Sequence, residues 1–182
     1  MYTVHHSGKE TALAYVKKDG DASKPMIIFC GGFRSDMQGT KAIFLEEYAQ
    51  KNEYGFIRFD YSGHGKSEGE FEDGTISSWT KDAHTIMSDL SGDRDIILVG
   101  SSMGGWISLL LGAQMDKKLV GLIGLAAAPD FSKDMFSQFS AAMKMDLTEK
   151  GFTELPNDYS DDPYIITRAL IDDGAHQCIL HA

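Results

Sequence analysis

The stretch Asp95-Ile96-Ile97-Leu98-Val99-Gly100-Ser101-Ser102-Met103-Gly104 decides the fold of this chain. Its first half is a run of β-favouring apolar residues, typical of a buried strand. The residues that follow place Trp106, Leu109 and Ala113 on one face at helical spacing. A serine therefore lies at a sharp turn between a strand and a helix, where flanking glycines let the two backbones approach closely. The sequence predicts that Ser102 is a nucleophile presented by this turn.

The Gly-x-Ser-x-Gly pattern occurs twice, so its context must decide between the two serines. The second match is Gly65-Lys66-Ser67-Glu68-Gly69, which an acidic segment (70–74) follows. No strand pattern leads directly into this match, and no apolar helix pattern leaves it. We therefore interpret Ser67 as a loop serine.

Length and composition indicate a single soluble globular domain covering residues 1–182. The chain is 42% hydrophobic and 24% charged, with a net charge of −10 that argues against nucleic acid or an anionic membrane as the main partner. Its N-terminus lacks a secretory pattern, and no apolar run is long enough to span a membrane. Two cysteines, Cys30 and Cys178, do not make a disulfide scaffold. We expect a cytoplasmic location.

Strand patterns alternate with helix patterns as far as residue 128, which predicts a three-layer α/β/α sandwich with a mostly parallel sheet. The predicted strands are 2–17 (two short antiparallel strands), 26–29, 55–60, 95–99 and 119–128, and the predicted helices are 38–51 and 76–90. Residues 131–175 are expected to form a lid-like helical segment. Within it, a last short helix is predicted over 161–173, beginning near Pro163.

A serine attacks an acyl carbon only when a base removes its proton, and the attacked carbonyl oxygen then gathers negative charge. Two backbone N–H groups normally receive that charge. One is offered by the residue after Ser102, which is Met103. Gly31-Gly32 follows a predicted strand and can turn tightly enough to offer the amide of Phe33. We predict that Phe33 and Met103 form an oxyanion hole, although the glycine pair alone is also compatible with a simple turn.

Three motifs carry a resemblance to a known family. The segments 29–33, 59–67 and 99–105 (Phe-Cys-Gly-Gly-Phe, Phe-Asp-Tyr-Ser-Gly-His-Gly-Lys-Ser and Val-Gly-Ser-Ser-Met-Gly-Gly) occur in the order found in the α/β-hydrolase superfamily. Segments 32–37 and 127–131 resemble, more narrowly, the group of the mitochondrial acyl-protein thioesterase that also hydrolyses acyl glucuronides, with its bacterial relatives. This resemblance implies a serine esterase or thioesterase that acts on small-molecule or acyl-protein substrates through an acyl-serine, without cofactor or metal.

The chain departs from the family where the catalytic acid and histidine belong. The family carries them in stretches like Leu-His-Gly-x-x-Asp and Gly-Asp-His, and neither stretch is present. We therefore expect a truncated hydrolase that lacks the C-terminal strands and helices. Asp130 with His176 or His181 has the right chain order to replace the acid and base. The favoured interpretation is different: Asp130 is a turn or helix-capping residue, and His176 is a solvated residue.

Two further interpretations stay open. Without a base, the chain would be an inactive hydrolase-like fragment or a binding protein, and its exposed sheet edge would favour self-association.

More remotely, Gly65-Lys66-Ser67 resembles the end of a phosphate-binding loop of nucleotide-binding proteins. Asp60 stands where that loop requires glycine, and a carboxylate is the wrong group beside phosphate. His64 is interpreted as a residue that shapes its glycine-rich loop.

Overall fold

A computed structural model describes residues 2–6, 9–115, 118–156 and 163–180. The strands are β1 Tyr2–His6, β2 Lys9–Leu13, β3 Tyr15–Lys18, β4 Met26–Cys30, β5 Gly55–Phe59, β6 Ile96–Ser101, β7 Leu119–Leu125, β8 Phe152–Leu155 and β9 Tyr164–Thr167. The helices are α1 Thr40–Lys51, α2 Ile76–Leu90, α3 Met103–Gln114, α4 Phe131–Gln138, α5 Ala141–Glu149 and α6 Arg168–His176, and a short 3₁₀ helix covers Phe71–Asp73.

Five strands form the central sheet, in the order β3-β5-β4-β6-β7. β3 is antiparallel to β5, whereas the other neighbouring strands of this sheet are parallel. Parallel neighbours require crossover connections, and α1, α2 and α3 provide them. The predicted mostly parallel sheet is therefore confirmed.

Helices cover both faces of this sheet. Alternate residues of a strand point to opposite sides, so each face carries apolar side chains that pack against helices. On one face, Ile28 and Leu98 share a core with Trp79 of α2 and Trp106 of α3. The smaller core on the other face, under α1, contains Ile27, Phe29, Ala42, Ala49 and Val99. The predicted three-layer sandwich is thus confirmed, with β4 and β6 at its centre.

The N-terminal prediction of two short antiparallel strands is confirmed in part. β1 and β2 pair antiparallel, with Tyr2 opposite Leu13. β3 is an additional strand, and it joins the central sheet rather than the hairpin. The two residues between these strands, Ser7 and Gly8, lie outside the described residues.

The segment after β7 is only partly helical. α4 and α5 confirm the helical prediction for residues 131–150, but the helix predicted to begin near Pro163 is wrong in its first half. Residues Tyr164–Thr167 form β9, which pairs antiparallel with β8. The run Tyr-Ile-Ile-Thr has a high β-propensity, and pairing with Phe152–Leu155 stabilises it as a strand. α6 begins only at Arg168, where the Thr167 hydroxyl accepts a hydrogen bond from the Leu170 amide.

β7 is the edge of the central sheet in the part of the chain that the structure describes. Apolar side chains are exposed here, since Val120 is 54% and Ile123 50% accessible. An unpaired apolar edge favours association, so self-association stays a prediction. No helix among the described residues is long and apolar enough to cross a membrane.

Candidate active site

Ser102 forms the corner between β6 and α3. Its backbone has φ 53° and ψ −119°, a disfavoured conformation for any residue other than glycine. The corner is also tied to β7. The Ser102 amide donates to the Leu125 carbonyl at 3.1 Å, and the Ala128 amide donates to the Ser102 carbonyl at 3.1 Å. The predicted strand, sharp turn and helix are all present.

The glycines on either side of Ser102 permit close backbone contacts. A Cβ at Gly100 would overlap the carbonyl group of Gly104, across the corner. A Cβ at Gly104 would overlap the carbonyl oxygens of Cys30 and Gly31, at the end of β4. The start of α3 therefore packs directly on the loop that was predicted to supply the second oxyanion donor.

That loop brings Phe33 next to the corner. A Cβ built at Gly32 would lie 3.4 Å from Ser102 Cβ and from the Ser101 carbonyl oxygen, so the loop passes close to the corner. The ring of Phe33 makes edge contacts with Phe71 and Phe131, with centroids 5.0 and 5.5 Å apart. These aromatic contacts hold the loop in place beside the corner.

The Met103 amide is the first of α3, where backbone N–H groups have no partner within the helix. Of the two predicted oxyanion residues, Phe33 lines one cleft with Ser102, and Met103 directly follows Ser102 in the chain. Their catalytic roles stay predictions.

A cleft of about 410 Å³ opens over this corner. The loop after β4, the start of α1 and the end of β6 line it, and both Phe33 and Ser102 face it. Lys41 also lines the cleft, and its Nζ donates a 3.0 Å hydrogen bond to Ser101 Oγ. Lys41 was not among the predicted site residues, because a lysine in the first turn of an amphipathic helix has the pattern of a solvated residue.

His64 lies in an aromatic environment rather than beside a carboxylate. Its ring packs against Tyr61, Phe71 and Trp79, with centroids 5.1 to 5.5 Å apart. Nδ1 lies 3.2 Å from the Ser62 carbonyl oxygen, whereas Nε2 is buried without a hydrogen-bond partner among the described residues. Burial lowers the pKa of His64 to about 4, so the ring is neutral at physiological pH. These contacts agree with the predicted loop-shaping role.

Asp130 is fully buried, and its carboxylate binds the C-terminal segment of the described chain. Its two oxygens accept hydrogen bonds from the Ile179 and Leu180 amides at 2.8 and 2.9 Å. Asp130 precedes α4 at the N-cap position with φ 61°, but its side chain does not cap that helix. Asp130 lies in a turn, as the first half of the prediction states. The expected side-chain cap is wrong, because the carboxylate binds two amides that are distant in sequence.

The structure does not bring a histidine to Asp130 among the described residues. His176 is exposed, and its Nδ1 lies 2.7 Å from the Asp172 carbonyl oxygen in its own helix. This agrees with the interpretation of His176 as a solvated residue. His181, the other candidate base, lies outside the described residues.

Asp130→Asn removes one of the two acceptors and keeps both side-chain size and tolerance of positive φ. We expect a loss of about 2 kcal/mol in the free energy of unfolding, because a buried amide is left unpaired. Urea denaturation and faster hydrogen exchange at Ile179 and Leu180 would show this. Asp134→Asn makes the same charge change on the exposed side of α4 and should alter neither measurement. Unchanged exchange at both amides in Asp130→Asn would contradict the assigned contact.

The second serine motif is a structural loop. Ser67 Oγ donates to the Asp60 carbonyl at 2.6 Å and accepts from the Ala14 amide at 2.9 Å. The Asp60 carboxylate accepts from the Lys66 and Met37 amides at 2.8 and 2.6 Å. The interpretation of Ser67 as a loop residue is confirmed. The phosphate-binding hypothesis loses its support, because the Lys66 amide faces a carboxylate.

Among the described residues, no group of three or more His, Cys, Asp or Glu side chains is arranged to hold a metal ion. Cys30 and Cys178 are free thiols, and burial raises the pKa of Cys30 to about 11. Cys30 therefore packs as an apolar residue, as expected from its strand.

Comparison with known proteins agrees with this geometry. A family model described as serine aminopeptidase, S33 matches residues 21–169. The human palmitoyl-protein thioesterase ABHD10, mitochondrial, is 40% identical over 171 residues, which are 93% of this chain and 55% of that protein. The chain thus spans little more than half the length of this curated relative. The printed name of this relative describes it as mitochondrial. The cytoplasmic location expected for the present chain stays a prediction.

Solved structures share the fold. A putative hydrolase from Agrobacterium vitis S4 superposes with a TM-score of 0.90 at 38% identity, over 98% of this chain and 71% of that chain. Mouse alpha/beta hydrolase domain-containing protein 10 superposes with a TM-score of 0.83 at 34% identity, over 100% of this chain and 71% of that chain. Because the family model covers most of the chain and these structures share its sheet and helices, the protein belongs to the serine aminopeptidase S33 family of α/β hydrolases.

Proposed function

We propose that Ser102 is the nucleophile of a hydrolase that cleaves carboxylic esters or thioesters. The observation that carries this proposal is the strained corner at Ser102, which opens on the cleft beside the loop of Phe33. A serine on such a turn presents its hydroxyl to a substrate above the sheet. The observed backbone strain is of the kind that clusters at functional sites.

The proposed reaction has two steps. Ser102 Oγ attacks the acyl carbon, its proton passes to a base, and the Phe33 and Met103 amides donate hydrogen bonds to the oxyanion. Collapse of this intermediate expels an alcohol or a thiol and leaves an acyl-serine. Water then attacks the acyl-serine and releases the acid. No cofactor or metal takes part.

The relatives support the substrate class. The human relative is named a palmitoyl-protein thioesterase, which points to thioesters of long acyl chains. The cleft of about 410 Å³ lies within the size range of small-molecule sites, and its opening to solvent is compatible with a small-molecule ester or thioester and with an acylated protein. This assignment is a proposal, since the chain covers only 55% of that relative.

A second candidate is a hydrolase-like fragment that does not turn over substrate. It is supported by the positions of His64 and His176. His64 is buried among aromatic rings, His176 contacts its own helix, and the Asp130 carboxylate is already hydrogen bonded to two backbone amides. A serine without a base is a weak nucleophile. We infer that the described part of the chain binds acyl substrates more readily than it hydrolyses them.

A fluorophosphonate probe separates these candidates, because it reacts covalently with an activated serine. We expect slow labelling that peptide mapping assigns to Ser102. The adduct should be lost in Ser102→Ala. It should be retained in Ser67→Ala, which changes the serine of the second Gly-x-Ser-x-Gly match. Since His64 is buried among aromatic rings and His176 contacts its own helix, added imidazole should accelerate p-nitrophenyl acetate hydrolysis by the wild-type chain above the rate of Ser102→Ala.

Each outcome of this experiment has one meaning. Rapid turnover without imidazole, abolished by Ser102→Ala, would reject the inactive candidate and direct attention to Asp130 with a C-terminal histidine. Labelling at Ser67, or no labelling at Ser102 with imidazole present, would reject Ser102 as the nucleophile.

A further inference from the structure

Lys41 is a cation in the cleft that contains Ser102. Its Nζ donates a hydrogen bond of 3.0 Å to Ser101 Oγ, although Lys41 is an exposed residue. Ser101 is buried at the end of β6 and directly precedes Ser102. A trans peptide separates the two Cα atoms by about 3.8 Å. The Ser101 hydroxyl therefore holds a positive charge one residue away from the proposed nucleophile.

The charge of Lys41 is not neutralised within the described structure. An ammonium group has three N–H donors, and a hydroxyl oxygen removes none of its charge. No carboxylate oxygen of the described residues lies within 4.0 Å of Lys41 Nζ, whereas Lys24 and Lys118 both pair with carboxylates. In a chain of net charge −10, this leaves an unpaired cation facing the cleft. A structural ion pair does not explain its position.

Asp36 is the other charged residue that lines the cleft. Its Oδ1 accepts a hydrogen bond from the Gln38 amide at 2.7 Å, which positions the carboxylate in its own loop but leaves its negative charge. The other side chains of the lining are neutral. An anionic group that enters the cleft therefore meets an ammonium with free donors.

We propose that Lys41 binds an anionic group, a carboxylate or a phosphate, on the substrate whose acyl carbon Ser102 attacks. This inference rests on the proposed hydrolase function and narrows its substrates to esters or thioesters with negative charge near the scissile bond. Hydrogen bonds from an ammonium to an anionic oxygen are charge-assisted and stronger than neutral ones. The charge belongs either to the acyl group or to the leaving group, and separate ligands distinguish these two sources.

Binding of intact esters to the Ser102→Ala chain tests this inference without requiring turnover. Monomethyl adipate carries its carboxylate on the acyl side, and acetoxyacetate carries it on the leaving-group side. Dimethyl adipate and methyl acetoxyacetate are their neutral counterparts. We expect at least one anionic ester to bind about five- to tenfold more tightly than its counterpart in NMR titrations, with a smaller preference at high salt.

Variants of two lysines on the same helix supply the controls. On the Ser102→Ala background, Lys41→Gln should abolish the preference for the anion, and Lys41→Arg should retain it. Lys51→Gln makes the same change in net charge at the opposite end of α1 and should retain the preference. Unchanged urea unfolding of each variant excludes misfolding as the cause.

Failure of this inference is distinct from failure of the proposed function. Equal affinities within both ligand pairs, no measurable binding, or a preference that survives Lys41→Gln would overturn the role of Lys41. If Ser102-specific labelling is found alongside such a result, the hydrolase proposal stands alone. A preference that depends on Lys41, without labelling at Ser102, would support an anion site and reject the hydrolase.

Discussion

Gly104→Ala is expected to lower the free energy of unfolding by more than about 3 kcal/mol, which is enough to leave much of the chain unfolded. The new Cβ would lie closer than 3.0 Å to the carbonyl oxygens of Cys30 and Gly31. Both are backbone atoms at the end of a central strand, so neither can rotate away as a side chain does. Relief of the overlap requires α3 and β4 to move apart, which opens the core between them.

Urea denaturation followed by circular dichroism measures this loss, and the yield of soluble protein gives a second readout. Gly112→Ala in the same helix is the matched control. There the nearest atoms to the new Cβ are the ends of the Leu119 and Leu122 side chains, at 3.2 and 3.4 Å. Those side chains can adjust, and alanine favours a helix, so we expect a change within about 1 kcal/mol. Wild-type stability in Gly104→Ala would show that the corner is not packed as described.

Acidification from pH 7 to pH 4 is expected to destabilise the chain by about 3 kcal/mol through His64 alone. Burial lowers the pKa of this histidine from 6.5 to about 4 in the folded state. Between these two values the unfolded chain binds the proton and the folded chain does not, so stability falls as the pH falls. The contribution is complete above pH 6.5 and is lost as the pH approaches 4.

Denaturation midpoints at several pH values isolate this contribution by difference. His64→Asn retains a donor for the Ser62 carbonyl but has no titratable group, and its stability should fall less steeply over this pH range. His176→Asn replaces an exposed histidine and should follow the wild-type pH dependence. Parallel curves for His64→Asn and the wild type would mean that the His64 ring takes up a proton in the folded state as easily as in the unfolded chain.

The corner and the sheet were predictable because local pattern and tertiary structure agree there. β6 is a run of β-favouring residues, and Gly100 and Gly104 have a steric reason to lack a side chain. The positions of Phe33 and Ser102 beside one cleft follow from strand order, since adjacent parallel strands end at the same edge of a sheet.

Residues 131–175 were less predictable, because their local signals conflict. Pro163 is compatible with a helix start, yet the residues after it favour a strand and find a partner in β8. The strand pair, rather than the proline, determines the structure at this point.

Lys41 and Asp130 show a different limit of sequence analysis. The contact from Lys41 to Ser101 spans 60 residues, and the contacts of Asp130 span 49 and 50. No periodicity connects positions so far apart, so a single sequence does not reveal that these side chains are partners. Only the assembled fold brings them together.

The central position of β4 has a consequence for the nascent polypeptide. β4 pairs with β6, so that Met26 lies opposite Ile96 and Cys30 opposite Gly100. At translation rates of about 5 to 20 residues per second, the ribosome needs roughly 4 to 14 s to synthesise the intervening stretch. During this delay one side of β4 remains without its neighbour, and chaperones that shield apolar segments have their best opportunity to act. Slower decoding between these two strands would prolong that exposure.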